Sequence, residues 1–405
     1  MLKYSDLDWK LISSALALSL IGVLMIMSAQ YHADSEFAQH YYQRQLIWLA
    51  IAIVVFAVVV HLPLRLFDVT AYLLYGVMLA ALVAVLFVGS TRMGASRWFS
   101  FGPINLAPSD LAKLTLVFAL ARFFAYTKLG AASKRRLALS FMLTVVPMAL
   151  ILKQPDLGTS LVFPVILLAL WFWSGLSLLH LFLIISPLVS LLAASHWLAW
   201  AVYFVVLLSI LFLLRPGMLF GVSAVVTNLA SGIVTPFLWN RLAEYQKLRI
   251  LSFLDPGLDP RGAGYQIIQS KIAIGSGGVL GKGLLEGSQT RLDFLPERHT
   301  DFVFSVIGEE LGLWGAMIVI TLFTYLLYRA IRIAARCRSR FASYVVFGAS
   351  SIFLLQLLVN VGMTLGVMPV TGLALPFISY GGTSLVLSWT IVALIVSADY
   401  HWQEY

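Results

Sequence analysis

The chain has 405 residues, of which 60% are hydrophobic and 11% charged, and it carries a net charge of +9. A water-soluble domain has about 25% charged residues, so this chain has too little polar surface to face water and most of it must be solvated by lipid. The basic residues sit in particular loops, which points to membrane orientation and anionic headgroups rather than nucleic acid, and a single cysteine, Cys337, excludes an internal disulfide.

Crossing a bilayer takes roughly 17–25 apolar residues. Runs of that kind fall at about 11–29, 46–62, 71–89, 109–126, 137–152, 158–174, 177–194, 198–214, 217–237, 303–328, 346–367 and 376–397. They predict an all-α, polytopic helix bundle of about twelve spans forming one integral membrane domain over 1–405. The first run is long enough to span and has no clear small-residue cleavage site, so no cleaved leader is expected. The fourth contains Asp110 and Lys113 and is the least hydrophobic. The eighth and ninth read as a hairpin, 198–237, joined across Arg215, Pro216 and Gly217.

Lysine and arginine counts set the orientation. With the N-terminus inside, the inner segments hold Lys3, Lys10, Arg65, Arg122, Lys128, Lys134, Arg135, Arg136, Arg215, Arg329, Arg332, Arg336, Arg338 and Arg340, and the short outer ones hold Arg44, Arg92, Arg97 and Lys153. Both termini are therefore expected in the cytoplasm of a multi-pass inner-membrane protein. The long segment 238–302 is expected outside, with apolar positions such as Ile267, Ile268, Ile272 and Ile274 on short interfacial helices.

Five constellations could carry chemistry. Asp293, Glu297 and Asp301 lie within nine residues, where the outer loop re-enters the membrane. A carboxylate at a partly dry interface is driven toward neutrality and suits a general base, while Asp is equally a strong N-cap for a helix beginning at Phe302. His299 beside it reads as a surface or orienting residue. Glu309-Glu310 lies one to two turns into the tenth span and either meets a cation or pairs with another helix. Asp110 and Lys113, three apart on one helix face, form an ion pair that either neutralises itself or offers the lysine to a phosphate. Arg92, Arg97 and Trp98 are either interfacial anchors or a diphosphate site, and Lys153-Gln154-Pro155-Asp156 lies at the same depth, with Asp156 also able to cap the sixth span. Finally, 274–283 looks like a phosphate loop but fails the Walker spacing at Ser276 and Gly283. Structural turns are its default reading, with a phosphate cradle near Lys271 and Lys282 as the alternative.

Three longer stretches resemble one family: 264–278 (Gly264-Tyr265-Gln266 through Gly277-Gly278), 294–302 (Phe294-Leu295-Pro296-Glu297-Arg298-His299-Thr300-Asp301-Phe302), and Asn360 through Pro369 continued by Gly372 through Ser384. With Arg97-Trp98 and Gln154 through Thr159, they are similar to the SEDS family (shape, elongation, division and sporulation) over about 11–400. The segment Gln269 to Gly278 is similar to its RodA-like elongation branch. The resemblance implies a peptidoglycan glycosyltransferase that polymerises lipid II into β-1,4-linked strands during cell elongation, with undecaprenyl pyrophosphate leaving. It also implies a class B penicillin-binding protein as transpeptidase partner, and no nucleic acid. The family's essential aspartate matches Asp301, its loop glutamate matches Glu297, and its acidic–lysine pair matches Asp110 and Lys113. Two features depart from the family. Ala107-Pro108-Ser109-Asp110 stands where Gln-Pro-Ser-Glu is usual, and 198–237 adds a hairpin to the usual ten spans.

On this reading Asp301 takes a proton from a sugar hydroxyl. Arg97, Lys113, Lys271 and Lys282 are the cations for the departing diphosphate, with a divalent ion, Mg or Mn, as a further candidate. The substrate site is expected to include Trp98, Asp110, Gln154, Asp156, Glu297 and His299 as well. Two rivals remain at this stage: a lipid II flippase or transporter, for which Gly362 to Pro369 and Gly381-Gly382 supply broken-helix signals, and a non-catalytic scaffold for the transpeptidase.

Overall fold

The computed structural model describes residues 7–31, 40–92, 95–101, 104–215, 217–241, 244, 247, 255, 257, 263–292 and 294–400. Twelve long helices occupy the twelve apolar runs. They are α1 (Trp9–Gln30), α2 (Tyr41–Val60), α3 (Leu64–Val88), α4 (Pro108–Tyr126), α5 (Lys134–Lys153), α6 (Leu157–Trp173), α7 (Leu178–Ala193), α8 (Trp197–Leu214), α9 (Met218–Arg241), α13 (Gly312–Arg336), α14 (Arg340–Thr364) and α15 (Gly382–Tyr400). Among the described residues between α9 and α13 lie three shorter helices, α10 (Ala263–Gly277), α11 (Ser288–Arg291) and α12 (Val303–Glu310). Nine of the described helices are long and apolar enough to cross a membrane. Helices α6 and α7 are apolar but shorter, and α4 carries Asp110, Lys113 and Arg122 in its 19 residues. The chain is a polytopic helical membrane protein. Its outward faces are apolar, with Val54, Leu73, Phe212 and Ile318 among many large exposed side chains that water would not tolerate.

Helix starts follow local chemistry. Asp8 caps α1 by accepting from the Leu11 N–H at 3.2 Å, Asp156 caps α6 by accepting from Thr159 at 3.1 Å, and Pro108 opens α4 in its first turn, where a missing N–H costs nothing. Among the described residues the strands form one three-stranded antiparallel meander between α3 and α4: β1 (Ser90–Arg92), β2 (Ala95–Phe101) and β3 (Ile104–Leu106), with Thr91 opposite Ser96 and Ser100 opposite Asn105.

The helices alternate in direction, and the start of α1 and the end of α15 lie on one side of the bundle. There, Arg329 near the end of α13 clamps Asp8 through two bonds of 2.9 and 2.6 Å, and Ser397 of α15 donates to the Leu62 carbonyl between α2 and α3. The opposite side carries the meander, α10 to α12, and the turn-rich segment 365–381.

Two expectations are corrected. The tenth span is not continuous over 303–328, because Gly312 at φ +65° breaks it into α12 and α13. The last helix starts at Gly382 rather than 376. The break in the tenth span has a packing cause. Gly277, Gly281 and Gly312 lie where α10 and the turn after it press on α12 and α13. A Cβ on Gly277 would collide with the Gly308 carbonyl, and one on Gly281 with that of Glu310. Lys282 and Gly283 then donate backbone N–H bonds, both 3.0 Å, to the Glu309 and Glu310 carbonyls that a helix end leaves free.

Candidate active site

Residues 295–302 fold into a tight turn. The Glu297 carbonyl accepts from the N–H groups of Thr300, Asp301 and Phe302 at 3.1–3.2 Å, with Glu297 itself at φ +52°. Its side chain is exposed and takes the Thr300 hydroxyl at 2.9 Å. Arg298 turns inward, 4% exposed, and donates to the Ala29 carbonyl at the end of α1. His299 stacks on Tyr41 at 4.9 Å, and Tyr41 in turn stacks on Tyr380 at 4.7 Å. Burial lowers the His299 pKa, so the ring is held neutral.

Asp301 does not cap a helix. Helix α12 begins at Val303 with Phe302 as its N-cap residue and no side-chain cap bond. The Asp301 carboxylate accepts no hydrogen bond from the described residues, and burial, helped by the neighbouring Glu297 charge, pushes its pKa up to about 6. A carboxylate kept close to neutral pH and left unengaged is equipped to take a proton.

The other predicted residues divide into those the fold gathers near this turn and those it commits elsewhere. In α4, Lys113 is 2% exposed and reaches Asp110 at 2.7 Å. The second Asp110 oxygen accepts from Thr383 at the start of α15 at 3.0 Å, which ties the pair to the segment that also holds Tyr380. The shorter acid at 110 thus spans both partners. Gln154 is buried, 1% exposed, and donates to the Leu82 carbonyl of α3. Asp156 has its capping role, beside a contact of Gly158 with the Thr371 carbonyl. Lys271 is exposed, and its side chain lies over Gly366 in the turn after α14. Trp98 is half-buried on β2. Arg97 is on the same strand, with its side chain outside the described residues, as is Asp293.

Lys282 is committed to structure. Glu309, with no exposed surface, accepts from Lys282 at 2.9 Å, Ser288 at 3.1 Å, the Gln289 N–H at 3.0 Å and Thr290 at 3.3 Å. In the stretch 275–283, Gly277 and Gly281 press on the α12 backbone, and Gly278, Gly281 and Gly283 turn the chain at positive φ. Glu309 and Glu310 do not form one site. Glu310 takes the Ser28 hydroxyl of α1 at 2.6 Å, so each acid fastens a different neighbour to α12. Among the described residues no group of three or more His, Cys, Asp or Glu side chains is arranged to hold a metal ion.

Sequence reasoning missed Asn360, Ser379 and Tyr380 as individual residues near Asp301. Asn360 donates to the Asp301 carbonyl at 3.0 Å, Ser379 to that of Thr300 at 2.6 Å, and the Tyr380 N–H to that of His299 at 2.9 Å. A fully polar Asn inside an apolar run was the available signal, since such a residue is costly in a membrane helix without a partner.

Comparison with known proteins gives the same outline. The cell cycle protein family of FtsW, RodA and SpoVE matches residues 8–209 and 192–404. The peptidoglycan glycosyltransferase MrdB of Escherichia coli is 35% identical over 396 residues, covering 98% of this chain and 94% of its own. In structure, the chain is similar to one in a peptidoglycan synthase complex that coordinates polymerization and crosslinking, with a TM-score of 0.74, 29% identity and coverage of 98% and 99%. It is also similar to the rod shape determining protein RodA of Thermus thermophilus, with a TM-score of 0.65, 26% identity and 98% of both chains covered. This chain belongs to the FtsW, RodA and SpoVE family of cell cycle proteins.

Proposed function

We propose that this chain is a peptidoglycan glycosyltransferase that joins lipid II units into β-1,4-linked glycan strands, with Asp301 as the general base. The observation that carries the reading is the Asp301 carboxylate: half-buried, unengaged by the described residues, and pushed up to a pKa of about 6. Fourteen basic residues on one set of connections against four on the short connections of the other, the long segment 238–302 lying beyond the length to which the rule applies, favour chain ends in the cytoplasm. Asp301 then faces the outer side of the cytoplasmic membrane, where both lipid-linked substrates are confined by their tails.

The step is a single displacement. Asp301 takes the proton of the acceptor sugar's 4-hydroxyl as that oxygen bonds to the anomeric carbon of the donor. The bond from that carbon to the diphosphate oxygen breaks, and undecaprenyl pyrophosphate leaves with the electron pair. Attack from the face opposite the leaving group inverts an α-linked donor to a β link. Proton removal of this kind contributes typically about 10²–10⁴-fold. Charge gathering on the diphosphate calls for cations. Lys113, oriented by Asp110, and the exposed Lys271 are assigned to it with Arg97, and the diphosphate is itself a ligand for Mg or Mn, which would arrive with the substrate. Lys282, fixed on Glu309, leaves this set. Crosslinking of the strands falls to a class B penicillin-binding protein as partner.

The test is polymer formation from lipid II by the purified full-length chain in detergent, beside its Asp301→Asn variant. Detergent has no second leaflet, so a flippase yields no polymer, and a scaffold yields none either. Absence of strands from the wild type, or equal yields from both proteins, would overturn the proposal.

A further inference from the structure

We propose that Asn360 and Ser379 are positioning residues that set the Asp301 carboxylate by gripping consecutive backbone carbonyls of its turn. The inference rests on Asp301 being the base. Three carbonyls in a row, those of His299, Thr300 and Asp301, each receive one donor from α14 or the segment before α15. The turn has no regular ladder of its own to hold it, because α12 starts only at Val303. Its attitude is therefore set from outside.

Asn360 does two things with one amide group. Its two N–H bonds go to the carbonyls of Asp301, at 3.0 Å, and Leu373, at 2.9 Å. Both partners are acceptors, so the amide can be oriented in only one way. The residue between Leu373 and Thr371 is Gly372, at φ +72°, and a Cβ added to it would stand 3.4 Å from an Asp301 carboxylate oxygen. One side chain therefore fixes both the aspartate's backbone and the wall its carboxylate faces. Asn360 has no exposed surface, and its amide oxygen accepts no hydrogen bond from the described residues. The two donated bonds are what the residue is there to make.

Ser379 works as a relay. Its hydroxyl accepts from the Leu375 N–H at 2.8 Å and donates to the Thr300 carbonyl at 2.6 Å. Segment 373–380 is thereby a rigid splint. Both side chains are buried and spend their donors on backbone carbonyls, so the expected loss lies in turnover and not in substrate affinity.

The experiment measures kcat and KM for lipid II polymerisation by the full-length chain as wild type, Asp301→Asn, Asn360→Ala, Ser379→Ala and Ser379→Thr, with thermal midpoints recorded for each. Misplacing a catalytic group by about 1 Å costs on the order of 100-fold, and that loss of kcat with little change in KM is expected for Asn360→Ala. Ser379→Ala is expected to lose about 10-fold, the scale of one hydrogen bond, while Ser379→Thr, which keeps the hydroxyl, stays near the wild type. Should Asn360→Ala fail to fold, the Ser379 pair decides: equal activity of the alanine and threonine variants overturns the proposal. A raised KM at unchanged kcat in either alanine variant also overturns it. Polymer made by Asp301→Asn at the wild-type rate would instead remove the base assignment, and the two failures are read separately.

Discussion

Asp301 is held in the opposite way to the acids at the far end of the helix bundle. On the side of the chain termini, Asp8 is engaged by Arg329 and by the α1 backbone, and Asp68 by Arg122 and the Tyr126 hydroxyl. On the other side Asp301 is half-buried with its carboxylate unengaged, although the backbone on which it stands is gripped at three successive carbonyls. Where an acid serves folding, its side chain is satisfied. On the proposed function, an acid that serves chemistry has its main chain held instead, and its carboxylate is left costly and available.

That contrast breaks most sharply at Asp301. Asp301→Asn is expected to lower polymer formation by about 10²–10⁴-fold while leaving membrane insertion normal. Its thermal midpoint at neutral pH should rise. The sign follows from the raised pKa: the folded chain binds the Asp301 proton more tightly than the unfolded chain. Stability attached to that proton is present below the ordinary carboxylate range and is lost as pH climbs through about 6. A lower midpoint would remove the idea that the carboxylate is strained. Lys113→Met comes next. It strands Asp110 in a buried site, and breaking a pair of this kind costs about 3–5 kcal/mol. Activity per folded molecule should fall as well, measured alongside the midpoint. On the opposite end, Arg329→Ala should cost stability only, about 1.5–3 kcal/mol for bonds to a charged partner, with specific activity unchanged. A loss of turnover there would erase the distinction between the ends. The smallest effect is expected at Glu297. Activity should decline below about pH 6 as Asp301 takes up its proton, and Glu297→Gln, by removing a nearby negative charge, should move that decline to slightly lower pH in a pH–rate profile.

Much of the bundle could be read directly from hydrophobic run lengths, because a span needs only local chemistry to declare itself. The Asp110–Lys113 pair was equally plain, since a spacing of three puts both on one helix face. What escaped was set by contacts distant in sequence. Helix α12 ends at Glu310 because glycines some thirty residues earlier press against it, and an apolar count cannot see that, although Gly312 just past two acids is a familiar helix-stop signal. Helix α15 begins later than its apolar run because 373–380 is recruited to hold the aspartate's turn. Lys282 read as a free cation in sequence, and only the fold brings Glu309 to it.

The glycine seam between α10 and the α12–α13 junction has a consequence for anyone scanning this chain by random mutagenesis. Gly277, Gly281 and Gly312 each stand against backbone of a facing segment, so even the smallest added methyl must wedge the segments apart. Inactive clones should therefore accumulate along this line, well removed from the acid, and a survey scored by growth alone would mistake a seam with no reactive group for a second active centre.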